Sequence, residues 1–289
     1  MAKRATARRA GAPGSGDMIW RQICRHYGRC AVEYRRSLAA CQRLMARHAV
    51  HDLRVAIRRL LACVELMRAA GGRHPSVRRH LREQSSAIGK LRDTQVQIRM
   101  IRDGGAGARD PEPLVGCLRK RKKREAEAAR RALGDDRALR RLARFTPGPA
   151  PGGGRPVMRL REFIERRLRR AAVSLAVLSS ASGEGGGARH RARVQLRTLH
   201  FILEALGPAW HGDRAGRLSR SLSACQAMIG QIHDRELLLR RIGRLVSGGK
   251  LGAASVQELS RRLESEKQGR LRACGPLVHR ARARSQECL

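Results

Sequence analysis

The sequence predicts an all-α protein made of two related halves, each a bundle of four helices. Three observations lead there. Between clusters of Gly and Pro, the 289-residue chain is rich in Ala, Leu, Arg and Glu, all good helix formers. No stretch alternates apolar and polar residues as a half-buried strand does. The pattern of the first half also returns in the second.

The breaks fall at Gly71–Pro75, Asp103–Pro113, Thr146–Pro156, Gly183–Gly187, Gly207–Gly212 and Ser247–Gly252. They leave helices over 17–47, 49–70, 76–102, 112–145 (interrupted at Gly134–Asp135), 157–181, 188–206, 213–246 and 254–284. Residues 1–16 read as a disordered basic arm. The first repeat covers about 17–145 and the second about 157–286, with 146–156 as linker. At an offset of 139, HDLRVAIRRLLACVELM (51–67) lies over HRARVQLRTLHFILEAL (190–206). At an offset of 141, IGKLRD (88–93) lies over IGQIHD (229–234). Two such units predict a pseudo-symmetric pair of four-helix units facing one shared site.

Charge narrows the function. Sixty-three Lys and Arg face 24 Asp and Glu, a formal net charge of +39. Both halves share the excess, +23 over residues 1–145 and +16 over 146–289. A chain so charged repels itself, so a polyanionic partner is expected. The hydrophobic fraction of 42% is ordinary for a globular protein and argues against a wholly disordered basic tail. Aromatics are 2%, too few to offer the stacking platforms of single-strand nucleic-acid binders. No apolar run suits a membrane span, and no apolar stretch follows the basic N-terminus as in a secretory signal. The eight cysteines form no C-x-x-C pair and read as reduced thiols.

The duplicated segment carries the candidate chemistry. At about 100° per residue, Arg47, His51, Arg54, Arg58 and Glu65 fall within about 60° of one another on a helical wheel. Leu53, Ile57, Leu60 and Val64 form the adjoining core face. His190, Arg193, Arg197 and His200 repeat the stripe, which ends at Glu204. Guanidinium groups beside a core face are partly shielded, which strengthens a pairing with phosphate. An imidazole among those arginines is disfavoured as a cation, so His51 is expected to be neutral near pH 7. The carboxylates Glu65, Asp93, Glu204 and Asp234 read as orienters of arginines, not as catalysts, because no base–nucleophile pairing surrounds them. No metal site is expected: His48 and His51 have ligand spacing, but their neighbours are arginines. The run Arg119–Arg124 (RKRKKR) reads as a solvated or nucleic-acid-attractive face.

HDLRVAIRRL at 51–60 with IGKLRDTQV at 88–96, and HRARVQLRTLHFILE at 190–204 with IGQIHD at 229–234, resemble the CHAD family, the conserved histidine α-helical domain. The resemblance covers about 17–286. It implies two four-helix bundles about a pseudo-twofold axis and a basic cavity that binds inorganic polyphosphate. It also implies a cytoplasmic protein associated with polyphosphate granules. Carried over by position, the anion-binding residues are His51, Arg54, Arg58, Arg59, His190, Arg193 and Arg197. Further contacts are expected from Arg21, Arg25, Arg47, Lys90, Lys120, Lys123 and His200. The second copy departs from the family pattern, with Thr198 and His200 where basic residues are expected and Phe201 in place of a usual Tyr. The E-x-E-x-K signature of the hydrolase fused to some members is absent.

The leading expectation is therefore a polyphosphate-binding protein that needs no cofactor. The alternative is a nucleic-acid binder that touches only the backbone. An enzyme acting on phosphoanhydrides is the weakest reading, because neither a carboxylate cluster for Mg²⁺ nor a Gly-rich phosphate loop is present.

Overall fold

The computed structural model describes residues 15–72, 75–103, 112–134, 154–180 and 186–289. Among them are eight α-helices and no strand: α1 (Ser15–Arg43), α2 (Arg47–Ala69), α3 (Pro75–Asp103), α4 (Glu112–Leu133), α5 (Gly154–Ser180), α6 (Gly186–Leu206), α7 (Gly212–Ser247) and α8 (Ala253–Gln286). A single 3-10 turn, Gly207–Ala209, follows α6.

Several boundaries differ from those read off the sequence. The first break comes at residues 44–46, where no Gly or Pro marks it. There Met45 turns into the core and its carbonyl accepts a 3.0 Å hydrogen bond from Gln95 Nε2 on α3. Residues 154–156, assigned to the linker, already belong to α5, because Pro156 sits in the first turn, where its missing N–H costs nothing. Ser15 and Gly16, assigned to the arm, open α1. The rest of the arm (1–14), most of the linker and the expected extension of α4 from 135 to 145 lie outside the described residues.

Within each half, helices consecutive in sequence pack together, and the first closes on the fourth: α1 on α4 and α5 on α8. Contacts between the halves are reciprocal. The helices carrying the two stripes, α2 and α6, pack on each other; α1 reaches α6 and α5 reaches α2; α3 touches α7. At the end of α6 the chain turns through Gly207 at φ 52°, with Gln22 of α1 pressed so close that a Cβ would sit 2.9 Å from its Nε2. Only glycine combines that dihedral with that approach.

The apolar interior comes in two parts. The larger core joins α1, α2, α5 and α6 with parts of α3, α4, α7 and α8. The smaller one gathers Ile98 and Ile101 of α3, Leu114, Val115 and Leu118 of α4, Leu238 and Ile242 of α7, and Val256, Leu259 and Leu263 of α8. On α3 the large core ends at Leu91 and the small one begins at Ile98; on α7 the corresponding residues are Ile232 and Leu238. The segments between, 92–97 and 233–237, are mainly polar and form a hydrophilic layer through the molecule. Thr94, Gln95, Gln97, Arg235 and Glu236 are buried in it.

Candidate anion-binding site

The helical period aims the α2 and α6 stripes at this layer. Arg54 and Arg58 from α2 meet Arg193 and Arg197 from α6, with Arg92 of α3 beside them. Two carboxylates answer five guanidiniums. Arg54 Nη1 lies 3.2 Å from Asp93 Oδ1, with 16% of the Arg54 side chain exposed. Asp234 lies near enough to favour the charge on Arg193 and Arg92 but bonds neither within ion-pair distance. Among the described residues, no carboxylate closes on Arg58, Arg193, Arg197 or Arg92, and Arg92 Nη1 is buried without a partner.

Five cations against two anions leave unrelieved repulsion. Burial, then Arg54, Arg197 and Arg193, push the Arg58 guanidinium down to about 8. Burial, with Arg193 and Arg54, pushes Arg197 down to about 10. Burial lowers Arg193 and Arg92 as well, against the pull of Asp234. Arginine keeps its proton at neutral pH, so these shifts express a positive charge that only an anion can relieve. Asp234 is raised by its own burial, which Arg193 opposes.

The histidines ring the arginines. His51 is exposed and lowered, first by burial of the ring's inner side and then by Arg92 and Arg54. His190 is also exposed, its ring centroid 5.7 Å from that of His233. Burial and Arg193 push His233 down to about 4. His233 and Arg92 stand 141 residues apart, at equivalent places in IGQIHD and IGKLRD. Beside Arg92, Arg47 borders a hollow of about 450 Å³ with Arg99, Arg102 and Lys122.

The other expected contacts lie elsewhere. Arg59 spans Glu33 at 2.9 Å and Glu204 at 2.8 Å; burial would lower it, but the bonds to Glu204 and Glu33 outweigh that and raise it. It faces away from Arg58 because the next residue on a helix is turned by about 100°. Glu204 thus holds Arg59 rather than its own helix's arginines. Glu65 holds Arg167 at 2.8 Å, with Arg82 and Arg78 at 3.6 and 3.8 Å. It shares a stripe with Arg58 but sits about 10 Å further along the axis, too far to orient it. His200 Nδ1 is 3.2 Å from Ser219 Oγ, inside the α6–α7 seam. Arg21 and Arg25 border a hollow of about 820 Å³ with Pro208. Pro208 is 15 residues beyond Arg193, some ~22 Å along the helix axis. Lys90, Lys120 and Lys123 are exposed on α3 and α4.

Two positioning carboxylates were missed by the sequence reading. Glu125 on α4 accepts from Thr94 Oγ1 at 2.6 Å and pairs with Arg121, one turn earlier, at 2.6 Å. Exactly the same offset of 141 leads to Glu266 on α8, which Arg235 grips through Nε at 2.8 Å and Nη2 at 2.5 Å, with Arg262 one turn earlier at 3.8 Å. These pairs tie α3 to α4 and α7 to α8 beside the arginine cluster. The signal was an R-x-x-x-E pattern at the repeat offset, hidden in a chain full of both residues.

This is an all-helical protein whose polar seam gathers more guanidinium than carboxylate. The CHAD domain profile matches residues 30–243, and the chain belongs to the CHAD family. Among solved structures it is similar to the CHAD domain of the plant Ricinus communis, with 18% identity and a TM-score of 0.67 over 90% of this chain and 91% of that one. It is also similar to PptA from Streptomyces chartreusis, with 17% identity and a TM-score of 0.61 over 91% of this chain and 98% of that one. Both likenesses are of fold. No curated protein matches the chain. Among the described residues, no helix is long and apolar enough to cross a membrane.

Proposed function

We propose that the protein binds inorganic polyphosphate without transforming it, at the cluster of Arg54, Arg58, Arg92, Arg193 and Arg197. The observation that carries this reading is the charge imbalance. Five guanidiniums converge with two carboxylates, and Arg58 is the most strongly shifted of them, first by burial and then by Arg54, Arg197 and Arg193. A phosphate chain supplies dense negative charge without bases and is thin enough to reach partly shielded groups. Each guanidinium can offer paired donors to its oxygens. Membership of the CHAD family supports the ligand class. We extend the reading to a cytoplasmic protein that gathers on polyphosphate granules.

The exposed cations Arg119, Lys120, Lys122, Lys123 and Arg124 of α4 favour a second reading, contact with a nucleic-acid backbone. Competition between long-chain polyphosphate and duplex DNA, at matched charge and about 150 mM salt, separates the two. Polyphosphate displaces DNA if the cluster is the site. Arg54→Ala with Arg193→Ala then weakens polyphosphate binding far more than Arg169→Ala with Arg261→Ala, two exposed arginines already paired on their own helices. Equal losses would leave net charge as the only cause and reject the site.

A further inference from the structure

The seam between α1 and α2 holds a group of side chains that anion binding does not use. His26 and Cys30 lie one turn apart on α1, and Cys63 meets them from α2. Their ligand-capable atoms all lie within 4.8 Å of one another. All three residues are in the core, at 5%, 1% and 0% exposure. A buried cysteine alone is an ordinary small apolar residue. The histidine is not ordinary: both ring nitrogens are buried, and the polar group that reaches the ring is the Cys30 thiol. A core that hides an imidazole with only a weakly bonding thiol beside it leaves much of the ring's desolvation without compensation.

We propose that His26, Cys30 and Cys63 bind one thiophilic closed-shell metal ion, Zn²⁺ or Cu⁺. Two sulfurs and an imidazole nitrogen are the donors such ions prefer. Among the described residues, no carboxylate joins the group, which disfavours Mg²⁺ and Ca²⁺. Small side-chain rotations would draw the donors from their present spread to ~2.0–2.3 Å from a common centre. Binding forms one metal–nitrogen and two metal–sulfur bonds and releases the two thiol protons to solvent. Occupancy would pin α1 to α2, the helix that carries Arg54 and Arg58. The second buried thiol pair, Cys225 and Cys274 between α7 and α8, has no histidine in such a group and serves as the internal control.

The test uses the full chain, reduced, stripped by chelator and loaded without oxygen with Zn²⁺ or, separately, Cu⁺. Bound metal is counted by elemental mass spectrometry after dialysis, and its donors are read by X-ray absorption on the Cys225→Ala/Cys274→Ala background. The expected result is about one equivalent of one of the ions, with two sulfurs and at least one imidazole nitrogen in its shell. Retention should fall at least tenfold in Cys30→Ala/Cys63→Ala and stay unchanged in Cys225→Ala/Cys274→Ala. Failure of the chain to retain either ion, a shell without sulfur, or equal retention in Cys30→Ala/Cys63→Ala would overturn the site. Should that last variant not fold, the donor shell of the background protein decides alone.

Discussion

The two halves place the same stripe on the same seam but stabilise it differently. In the first, Arg54 is bonded to Asp93, and Arg59, beside Arg58 in sequence, is drawn away by Glu33 and Glu204. In the second, Thr198 stands where Arg59 stands in the first and spends its hydroxyl on the Val194 carbonyl of its own helix at 2.9 Å. Its potential partner, Glu65, is served instead by Arg167. Deeper in the layer, Thr94 in one half corresponds to Arg235 in the other, and Arg92 to His233. The first half keeps its cation beside the cluster, at Arg92. The second holds Arg235 on Glu266 and leaves a neutral histidine next to Arg193. The lesson is that two related segments can keep the stripe facing the polar seam while its supporting ion pairs are redistributed.

The comparison breaks if the two stripes do not act together. Arg58→Ala with Arg197→Ala should therefore have the largest effect. Losing two charge-assisted contacts should weaken polyphosphate binding by about 3–6 kcal/mol, measured by isothermal titration. The slope of log affinity against log salt should also become shallower by about two. An unchanged slope would mean that the ligand sits elsewhere.

Arg235→Ala probes the second half's support. It strands Glu266, which is partly exposed and keeps Arg262, so the expected loss is about 2 kcal/mol in denaturant unfolding. Thr94→Val in the first half should cost about 1 kcal/mol, since Arg121 still pairs Glu125. If Thr94→Val proved the costlier, the two carboxylates would not be equivalent.

His233 gives the second half a titration that Arg92 cannot. Its folded pKa, about 4, lies below the unfolded value of ~6.5, so between them the unfolded chain binds more protons. Stability from this group is complete above that unfolded value and declines as pH falls toward 4. We expect about 1–2 kcal/mol less stability at the acid end of the window, and a flatter profile in His233→Gln. A bound polyanion should reverse the local field and raise the imidazole pKa of both His233 and His51. Polyphosphate affinity should therefore rise as pH falls below ~6.5, and this rise should shrink in His51→Gln/His233→Gln. Identical pH slopes for parent and variant would make both histidines purely structural.

The smallest effect is the sharpest on Arg59. Arg59→Thr copies the second half into the first, and should cost about 0.5–1 kcal/mol of stability while leaving polyphosphate affinity unchanged. A tenfold loss of affinity would return Arg59 to the binding residues.

Much of this molecule was legible without coordinates. Composition and Gly/Pro breaks gave the helices, because propensity summed over long segments is informative. The offsets of 139 and 141 paired the halves, and the wheel put Arg54, Arg58, Arg193 and Arg197 beside a core face. The wheel also held a warning about Arg59, which points about 100° away from Arg58. The break at 44–46 was not legible, since Met45 ends α1 through a tertiary bond to Gln95 and not through a local breaker.

By itself, then, the sequence determined that the chain is helical and cationic, that its motifs recur at offsets of 139 and 141, and which side of each helix carries its arginines. Only the tertiary structure decided that Asp93 and Asp234 enter the cluster while Glu65 and Glu204 hold other helices together. It alone brought Cys63 of α2 to His26 and Cys30 of α1. The physical reason is that helical periodicity fixes a side chain's direction about its own axis. Which neighbouring helix it meets, and at what height along that axis, depends on packing between elements distant in sequence.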